Sequence, residues 1–221
     1  MAYIGLTPSA APLTSSDVTD GIITNAKLAQ DIISAETALT DAPADTDEFL
    51  VSDAGTLKRI DYSLIKGGGL SVADQWRITS NFSISGTSLA NLTSNFERVD
   101  TGGQGVIGAM SESSGIFSIP STGYYWIIAS FVIKSEGTDT CHIDLQTTVN
   151  NSSYGDAAKC RKSASATVTE TSGPAHFLFD VTDTDNCKVK FNASSFATSS
   201  QILGDSGNNI STATFIKLGD T

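Results

Sequence analysis

Charged, hydrophobic and sulfur-containing residues are all scarce in this 221-residue chain. Charged residues make up 17% of it and hydrophobic residues 39%, and Ser, Thr, Asn and Gly fill the difference. These small polar residues compete for backbone hydrogen bonds, which favours turns and strands over helices. The composition therefore predicts a mainly β protein with a polar, weakly charged surface.

Long apolar runs and positive charge are also lacking. No apolar run reaches the roughly 18 residues that a spanning helix needs, so we expect no membrane insertion. The net charge of −11 repels phosphate backbones, so we expect no nucleic-acid partner. The segment MAYIGLTPSAAPLTSSD has no basic stretch followed by a long apolar one, and we expect synthesis in a cytoplasm without a secretory leader.

Motifs for catalysis and metal binding are few. Cys141, Cys160 and Cys187 are odd in number and lack CxxC spacing, so we expect free thiols packed as small apolar side chains. His142 follows Cys141, but neighbours on a strand point to opposite faces and cannot grip one metal. The S-x-x-K at residues 63–66 lacks the companion motifs of penicillin-binding enzymes, and no GxSxG elbow occurs. We predict no catalytic site, no metal site and no cofactor.

One acidic loop leaves an alternative open. Asp180, Asp183, Asp185 and Asn186 could together offer oxygens to calcium. The loop lacks the glycine and closing glutamate of a helix–loop–helix calcium site. A solvated turn is the simpler interpretation.

The N-terminal 46 residues have scattered apolar side chains among prolines and no long periodic face. Proline fixes φ and removes a backbone donor, which predicts an extended segment with one short helix over residues 25–33, capped by Thr24. So few core residues cannot offset the ordering entropy, and the segment must lie against a partner. We interpret residues 1–46 as an anchoring arm whose contacts are made by Tyr3, Ile4, Leu6, Pro8 and Leu13.

Residues 47–70 predict a small hairpin and a neck. The apolar residues 49–51 and 57–60 form two strands around the turn signal Asp53-Ala54-Gly55. One helical turn is expected over residues 61–66. The triple glycine that follows predicts a flexible joint.

Residues 71–221 show strand patterns separated by Gly, Ser, Asn and Asp clusters, which predicts a β-sandwich or barrel. The apolar residues within 76–84 share one parity and predict a single half-buried strand. Within 141–149, Cys141, Ile143, Leu145 and Val149 alternate with polar residues. Further strands are expected at residues 96–99, 116–119, 124–133, 177–179, 188–191 and 212–218.

The segment YYWIIASFVI at residues 124–133 is almost continuously apolar, which predicts a strand buried on both faces. One face can meet the domain's own core and the other an identical neighbour; complete burial within a monomeric sandwich is the alternative. The residues assigned to core or oligomer packing are Phe117, Tyr125, Trp126, Ile128 and Phe131.

The segment GIFSIPSTGYY at residues 115–125 resembles the signature G-x-F-x-x-P-x-x-G-x-Y of the complement/tumour-necrosis-factor jelly-roll superfamily. The resemblance covers roughly residues 75–221 and implies a jelly-roll β-sandwich that assembles as a homotrimer. Two places depart from the family pattern: residues 214–218 lack the glycine of its closing Phe-x-Gly, and residues 183–186 lack its turn glycine. The matching positions are Gly115, Phe117, Pro120, Gly123 and Tyr125.

The N-terminal segments resemble another group. MAYIG at residues 1–5, followed by a nearby proline, is similar to the start of many tail- and head-fibre proteins of marine bacteriophages. Residues 13–28 resemble a phrase common in those proteins, and residues 47–60 resemble their hairpin bead. This resemblance implies a virion location and contact with portal, neck, tail or capsid proteins.

Together these features predict an extended arm with a short helix and small β-hairpin, followed by a homotrimeric jelly-roll head over residues 71–221. The first hypothesis is a fibre or spike that attaches to a host glycan or protein through loops 137–140, 150–155 and 199–209. A decoration or stabilising protein without receptor binding is the alternative, and a glycan-active enzyme is a third. The predicted receptor-facing residues are Asp139, Tyr154, Asp205 and Asn208.

Overall fold

The chain divides into two compact units, Met1–Gly67 and Gly68–Thr221. The helix expected over residues 25–33 and the arm contacts expected from residues 3–13 lie outside the described residues and stay predictions. The computed structural model describes residues 14, 16, 18–19, 37–65, 69–84, 90–135, 140–162, 169–196 and 200–221.

The first unit contains the expected hairpin. Strands β1 (Glu48–Asp53) and β2 (Thr56–Asp61) pair antiparallel and lead into one helical turn, α1 (Tyr62–Ile65). The two loop residues, Ala54 and Gly55, have φ values of 48° and 84°, as a type I′ turn requires. Hairpin and helical turn are thus confirmed, although every residue of the two strands is exposed or half-buried.

The second unit is a β-sandwich, as the strand patterns predicted. Its strands are β3 (Ala73–Ile78), β4 (Phe82–Ser83), β5 (Ala90–Asn91), β6 (Phe96–Arg98), β7 (Ser111–Ser113), β8 (Ile116–Ser118), β9 (Gly123–Ser135), β10 (His142–Thr148), β11 (Gly155–Arg161), β12 (Thr169–Val181), β13 (Lys188–Ser194), β14 (Gln201–Ile202) and β15 (Thr212–Gly219).

Two antiparallel sheets face each other. The first has the order β12-β9-β15-β3-β6, with β14 sharing the β15 edge of β9 and pairing in turn with β4. The second has the order β11-β10-β13-β8-β7, with β5 also paired to β13. Along the chain the long strands mostly cross from one sheet to the other. The long pair β10 and β11 and the short pair β7 and β8 are joined within the second sheet. This connectivity is that of a jelly roll.

The signature segment holds the corner between the sheets. Gly115 has a φ of 81°, and a Cβ there would lie 1.9 Å from the carbonyl oxygen of Leu92. Gly123 has a φ of 137°, and its Cβ would meet the carbonyl oxygen of Gly219 at 2.3 Å. Both positions require glycine because a side chain has neither the conformation nor the room. Next to them, the Tyr125 hydroxyl donates to the Ser121 carbonyl at 3.0 Å and closes the turn.

Aromatic rings fill the space between the sheets. The fully buried ring of Phe117 is in the middle, with its centre 5.4 Å from that of Trp76, 5.0 Å from Phe96 and 5.1 Å from Phe215. Such edge and tilted contacts add to the burial energy of each ring. The core is therefore built by residues from both sheets that are far apart in the chain.

Strand β9 is buried on one face only. Its inward residues, Tyr125, Ile127, Ala129, Phe131 and Ile133, are at most 1% exposed. Its outward residues alternate with them and are half-buried or exposed. The alternative of complete burial within a monomeric sandwich is thus wrong, because the second sheet packs on one side of β9 and nothing described covers the other. Burial of the outward face by an identical neighbour stays a prediction.

Two further strand predictions are wrong. Residues 76–84 form two strands, because the chain turns away after Ile78, whose carbonyl accepts a hydrogen bond from the amide of Asp205 at 2.9 Å. A Cβ on Gly204 would lie only 2.5 Å from the Ile78 side chain, so the loop occupies the path of a longer strand. Val149 lies beyond the end of β10 and is 65% exposed.

Candidate functional site

The first sheet presents an apolar surface on the side away from its own core. Trp126 on β9 is opposite Leu178 on the neighbouring strand β12 and opposite Ile216 on the other neighbour, β15. The three side chains therefore share this face. Tyr124 is 41% exposed and Leu178 49% exposed. We call this surface the outer apolar face and define it by Tyr124, Trp126, Ile128, Val132, Leu178 and Ile216.

An aromatic stack lies in the middle of the outer apolar face. The rings of Trp126 and His176 are 5.6 Å apart and inclined by 18°. His176 is opposite Ile128 in the β9–β12 register, so a titratable ring borders the aliphatic part of the surface. At one end the ammonium of Lys134 lies 4.0 Å from the Glu170 carboxylate. The face is therefore apolar around Trp126, interrupted by Ser130 and Thr214, and charged at an edge. An apolar part with a polar rim is common in protein–protein interfaces.

The second sheet is polar on its outward side. The Gln146 amide donates to Asp156 at 2.7 Å and accepts from the Asn192 amide at 2.7 Å. Lys159 bonds both Asp144 and Asp156. The hydrogen bonds from Lys159 and Gln146 lower the pKa of Asp156, and those to Asp144 and Asp156 raise the pKa of Lys159. These side chains cover one another, so that Asp144 is only 1% exposed although it faces away from the core.

Three buried polar atoms next to this network have no hydrogen-bond partner in the described part of the chain. They are the Nδ1 atom of His142, the Oδ1 atom of Asn192 and the hydroxyl of Tyr154. Asn192 is 5% exposed, so water does not replace the missing partner easily. Unpartnered buried polar groups are rare and call for a physical explanation.

A small pocket of about 90 Å³ opens beside the polar face. The ammonium of Lys190 lies 4.3 Å from the centre of the Tyr154 ring and donates to Asn91 Oδ1 at 3.2 Å. Burial raises the pKa of the Tyr154 hydroxyl. The lining residues are Asn91, Leu92, Thr93, Ser114, Gly115, Ile116, Tyr154 and Lys190.

The predicted receptor-facing residues lie in separate loops. Tyr154 is in the β10–β11 connection of the second sheet, whereas Asp205 and Asn208 are in the β14–β15 connection of the first. The Asp205 carboxylate accepts from the amides of Gly207 at 2.6 Å and Asn208 at 2.8 Å, which lowers its pKa. That carboxylate thus stabilises its own loop. Asp139 lies outside the described residues.

The predicted packing residues also divide into two groups. Phe117, Tyr125 and Phe131 are fully buried in the sandwich core. Trp126 and Ile128 are half-buried on the outer apolar face. Only the second pair is therefore placed to contact another molecule.

The acidic loop after β12 uses its oxygens internally. Asp183 accepts from the Asp185 amide at 2.8 Å and from the Asn186 side chain at 2.7 Å, and the latter bond is the main cause of its lowered pKa. Among the described residues, no group of three or more His, Cys, Asp or Glu side chains could hold a metal ion. The solvated-turn interpretation agrees with these bonds.

The three cysteines are free and buried in the core. Cys160 donates to the carbonyl oxygen of Ala129 at 3.3 Å, and burial raises the pKa of its thiol. A thiol in these surroundings is a poor nucleophile. Within the described residues, no helix has the length and apolar character needed to cross a bilayer.

Sequence reasoning did not find the pocket. Asn91 and Lys190 are 99 positions apart, and neither belongs to a motif. A weak signal was present, since Lys190 alternates with the apolar residues Val189 and Phe191, which places its side chain on the outward face of a strand.

No family model matches the chain, and no curated protein matches it. Among solved structures, murine APRIL at pH 8.0 is 15% identical with a TM-score of 0.47, and the match covers 66% of this chain and 98% of that one. Murine APRIL at pH 5.0 is 14% identical with a TM-score of 0.49 and the same coverage. Eiger TNF from S. frugiperda is 11% identical with a TM-score of 0.48, over 68% of this chain and 94% of that one. The likeness concerns the fold and extends to no partner, ligand or activity.

Proposed function

We propose that the chain is a non-catalytic structural protein of a bacteriophage virion, a fibre or spike. Its N-terminal arm anchors it to the particle, and a homotrimeric β-sandwich head attaches to the host surface. The sequence support is the similarity of residues 1–5, 13–28 and 47–60 to marine phage fibre proteins. Each match is short, but the three segments occur in the same order as in those proteins, which makes the similarity stronger.

The outer apolar face is the observation that carries the assembly part of the proposal. Soluble monomers rarely leave a large contiguous apolar patch in water. Here the centre of a sheet presents Trp126, Ile128 and Leu178 outward, and Leu178 is 49% exposed. A second copy of the chain is the partner that is always present at equal concentration. Three copies are favoured over two because the signature at residues 115–125 resembles that of a trimeric superfamily.

The hairpin of the first unit supports self-association independently. Leu50 is 74% exposed, Leu57 69% and Leu64 75%. A two-stranded ribbon with so little buried surface is marginal by itself in water. Packing against identical hairpins would bury these leucines and stabilise the segment between arm and head.

The construction of the head supports attachment through its loops. Loops carried by a rigid sandwich are the usual place for recognition residues. Three copies of a weak site on one trimer would gain strength from effective concentration, as multivalent binders do. A decoration protein would share the trimer and the anchor but would bind no host surface.

The test uses phage particles that carry either the full chain or a variant lacking residues 2–14. Mass spectrometry and immunogold labelling of purified particles should find the full chain on the virion. The truncated chain should be absent from particles while its trimer mass and thermal transition stay unchanged.

Three results would count against the proposal. Normal loading of the truncated chain would show that the arm is not the anchor, and its unfolding would show that the arm belongs to the core. Absence of the full chain from particles would overturn the virion assignment. Failure of the purified head to bind host cells would leave the decoration role in place of attachment.

A further inference from the structure

We infer that the pocket between β5, β8 and the β10–β11 loop binds the carboxylate group of an acidic saccharide. The inference rests on the attachment role proposed above and names the chemical class of the receptor. It is built from three properties of the pocket: its charge, its unpartnered donor and its polar surroundings.

The pocket is positive in a strongly negative chain. Lys190 lines it and no aspartate or glutamate does, although the Glu112 carboxylate accepts a hydrogen bond from the amide of the lining residue Gly115 at 2.6 Å. The described residues place no carboxylate within salt-bridge distance of the Lys190 ammonium, whose polar contact is the Asn91 amide oxygen at 3.2 Å. An anion entering the pocket would meet a cation that no internal carboxylate neutralises.

The pocket also holds a donor that lacks an acceptor. The Tyr154 hydroxyl is buried without a hydrogen-bond partner. Like any tyrosine hydroxyl, it carries its proton at neutral pH and can donate. A buried hydroxyl without a partner destabilises the folded chain, and a bound carboxylate oxygen would supply the missing acceptor. The Lys190 ammonium lies 4.3 Å from the centre of the Tyr154 ring, and both side chains line the pocket.

Pocket size limits what enters it. A volume of about 90 Å³ is well below the roughly 300–1,000 Å³ of sites that enclose a whole small molecule, so the pocket admits only one end of a ligand, such as a carboxylate. The sugar ring would therefore remain outside, at the rim of the pocket. Lys190 covers the Tyr154 ring, and its flexible side chain can move aside to admit the ligand.

The rim of the pocket suits a ligand with many hydroxyls. Asn91, Thr93 and Ser114 line the pocket and are exposed. Their amide and hydroxyl groups can both donate to and accept from sugar hydroxyls. A peptide carboxylate would satisfy the pocket but would leave these groups without complementary partners.

The test measures weak binding to the full-length chain by saturation-transfer NMR. The probes are galacturonic and glucuronic acid, each compared with its neutral hexose, galactose or glucose, which lacks only the carboxylate. N-acetylglutamate tests whether a carboxylate without a sugar is enough. We expect the uronic acids to bind at least about tenfold more tightly than the hexoses, as loss of a charged hydrogen bond implies.

Two variants and one control assign the binding to the pocket. Lys190→Gln should weaken uronic acid binding by about tenfold or more, and Tyr154→Phe by several-fold without loss of thermal stability, since it removes only an unpartnered hydroxyl. Lys188→Gln makes the same charge change on the same face of β13, where the ammonium bonds the Thr184 carbonyl at 2.7 Å, and should bind as the parent chain does.

The inference is overturned if neither uronic acid binds, if Lys190→Gln binds as tightly as the parent chain, or if N-acetylglutamate binds as tightly as the uronic acids. None of these outcomes bears on particle location, because the measurement uses purified protein. A chain that binds no uronic acid can still be found on virions, and one absent from virions can still bind them.

Discussion

Trp126 and His176 stack face to face on the outward side of the sandwich, with ring centres 5.6 Å apart. They come from neighbouring strands, β9 and β12, and stand at the centre of the outer apolar face. The inward neighbours of Trp126 are fully buried, whereas Trp126 itself is half-buried and His176 is exposed. The stack is best explained by a contact with another molecule, which we propose to be a second copy of the chain.

Ile128→Asp should therefore dissociate the trimer while the sandwich stays folded. The new carboxylate would remain hydrated in a single chain, but an interface would strip its water and leave it unpaired. Light scattering should give about three times the 23.0 kDa protomer mass for the parent chain and about one protomer mass for the variant.

The matched control for the interface is Val149→Asp. It places the same charge on a residue that is 65% exposed in the turn after β10. It should assemble like the parent chain. A parent chain that is monomeric at micromolar concentration, or an Ile128→Asp variant that remains trimeric, would contradict the proposed interface.

Phe117→Ala should lower the free energy of unfolding by about 3–5 kcal/mol, because it removes a fully buried ring and leaves a cavity. Urea unfolding at one fixed protomer concentration would measure it. Phe49→Ala, in the hairpin, removes the same atoms from a side chain that is 40% exposed and should cost much less. Equal losses in the two variants would show that Phe117 is not the centre of the core.

Asp156→Asn should lower the melting temperature at pH 7 and have less effect in acid. The hydrogen bonds from Lys159 and Gln146 lower the pKa of Asp156 in the folded chain. The stabilisation is therefore present above the unfolded pKa of about 4 and is lost as the pH falls through the lower folded value. Calorimetry between pH 7 and pH 2 would follow the difference.

The control for this pH dependence is Asp185→Asn. It removes the same charge from an exposed turn in which the Asp185 amide, not its carboxylate, makes the described hydrogen bond. We expect little effect at any pH. A difference in melting temperature between Asp156→Asn and the parent chain that grows as the pH falls would contradict the role of the Asp156 carboxylate, because protonation removes its stabilising effect.

None of the three thiols should react with Ellman's reagent in the folded chain at pH 8, and all three should react in denaturant. Cys141, Cys160 and Cys187 are at most 1% exposed, and burial raises the pKa of Cys160. A reducing agent should leave the melting temperature unchanged, because the structure has free thiols. One fast-reacting equivalent in the native chain would contradict this packing.

Local patterns in the sequence were enough to predict several features. The hairpin turn was predictable because Ala54-Gly55 follows Asp53 between two apolar runs. The corner at residues 115–125 was predictable because Gly115 and Gly123 adopt positive φ angles that favour glycine over every other residue. Such features depend on residues within about ten positions of one another, so they can be predicted from short segments of the sequence.

The pairing of distant strands was decided only by the tertiary structure. Alternation showed which residues of β9 share a face, but it did not show that β12 and β15 would flank it and leave Trp126 and Ile128 uncovered. The alternation also placed Asp144 on the outward face of β10. Asp144 is nevertheless buried, because the side chains of Lys159 on β11 and Asn192 on β13 cover it.

The pocket depended on the same long-range pairing. Asn91 and Lys190 meet because β5 pairs with β13, and Tyr154 arrives there from the loop after β10. The sequence alone determined the fold class and the local turns, through alternation, proline and glycine. Which side chains meet across the sheets depended on the register between distant strands, such as the one that joins Gln75 to Thr214, 139 positions away. Hydrogen bonding between backbones does not distinguish one partner strand from another until the whole core is packed, and for that reason only the tertiary structure decided these contacts.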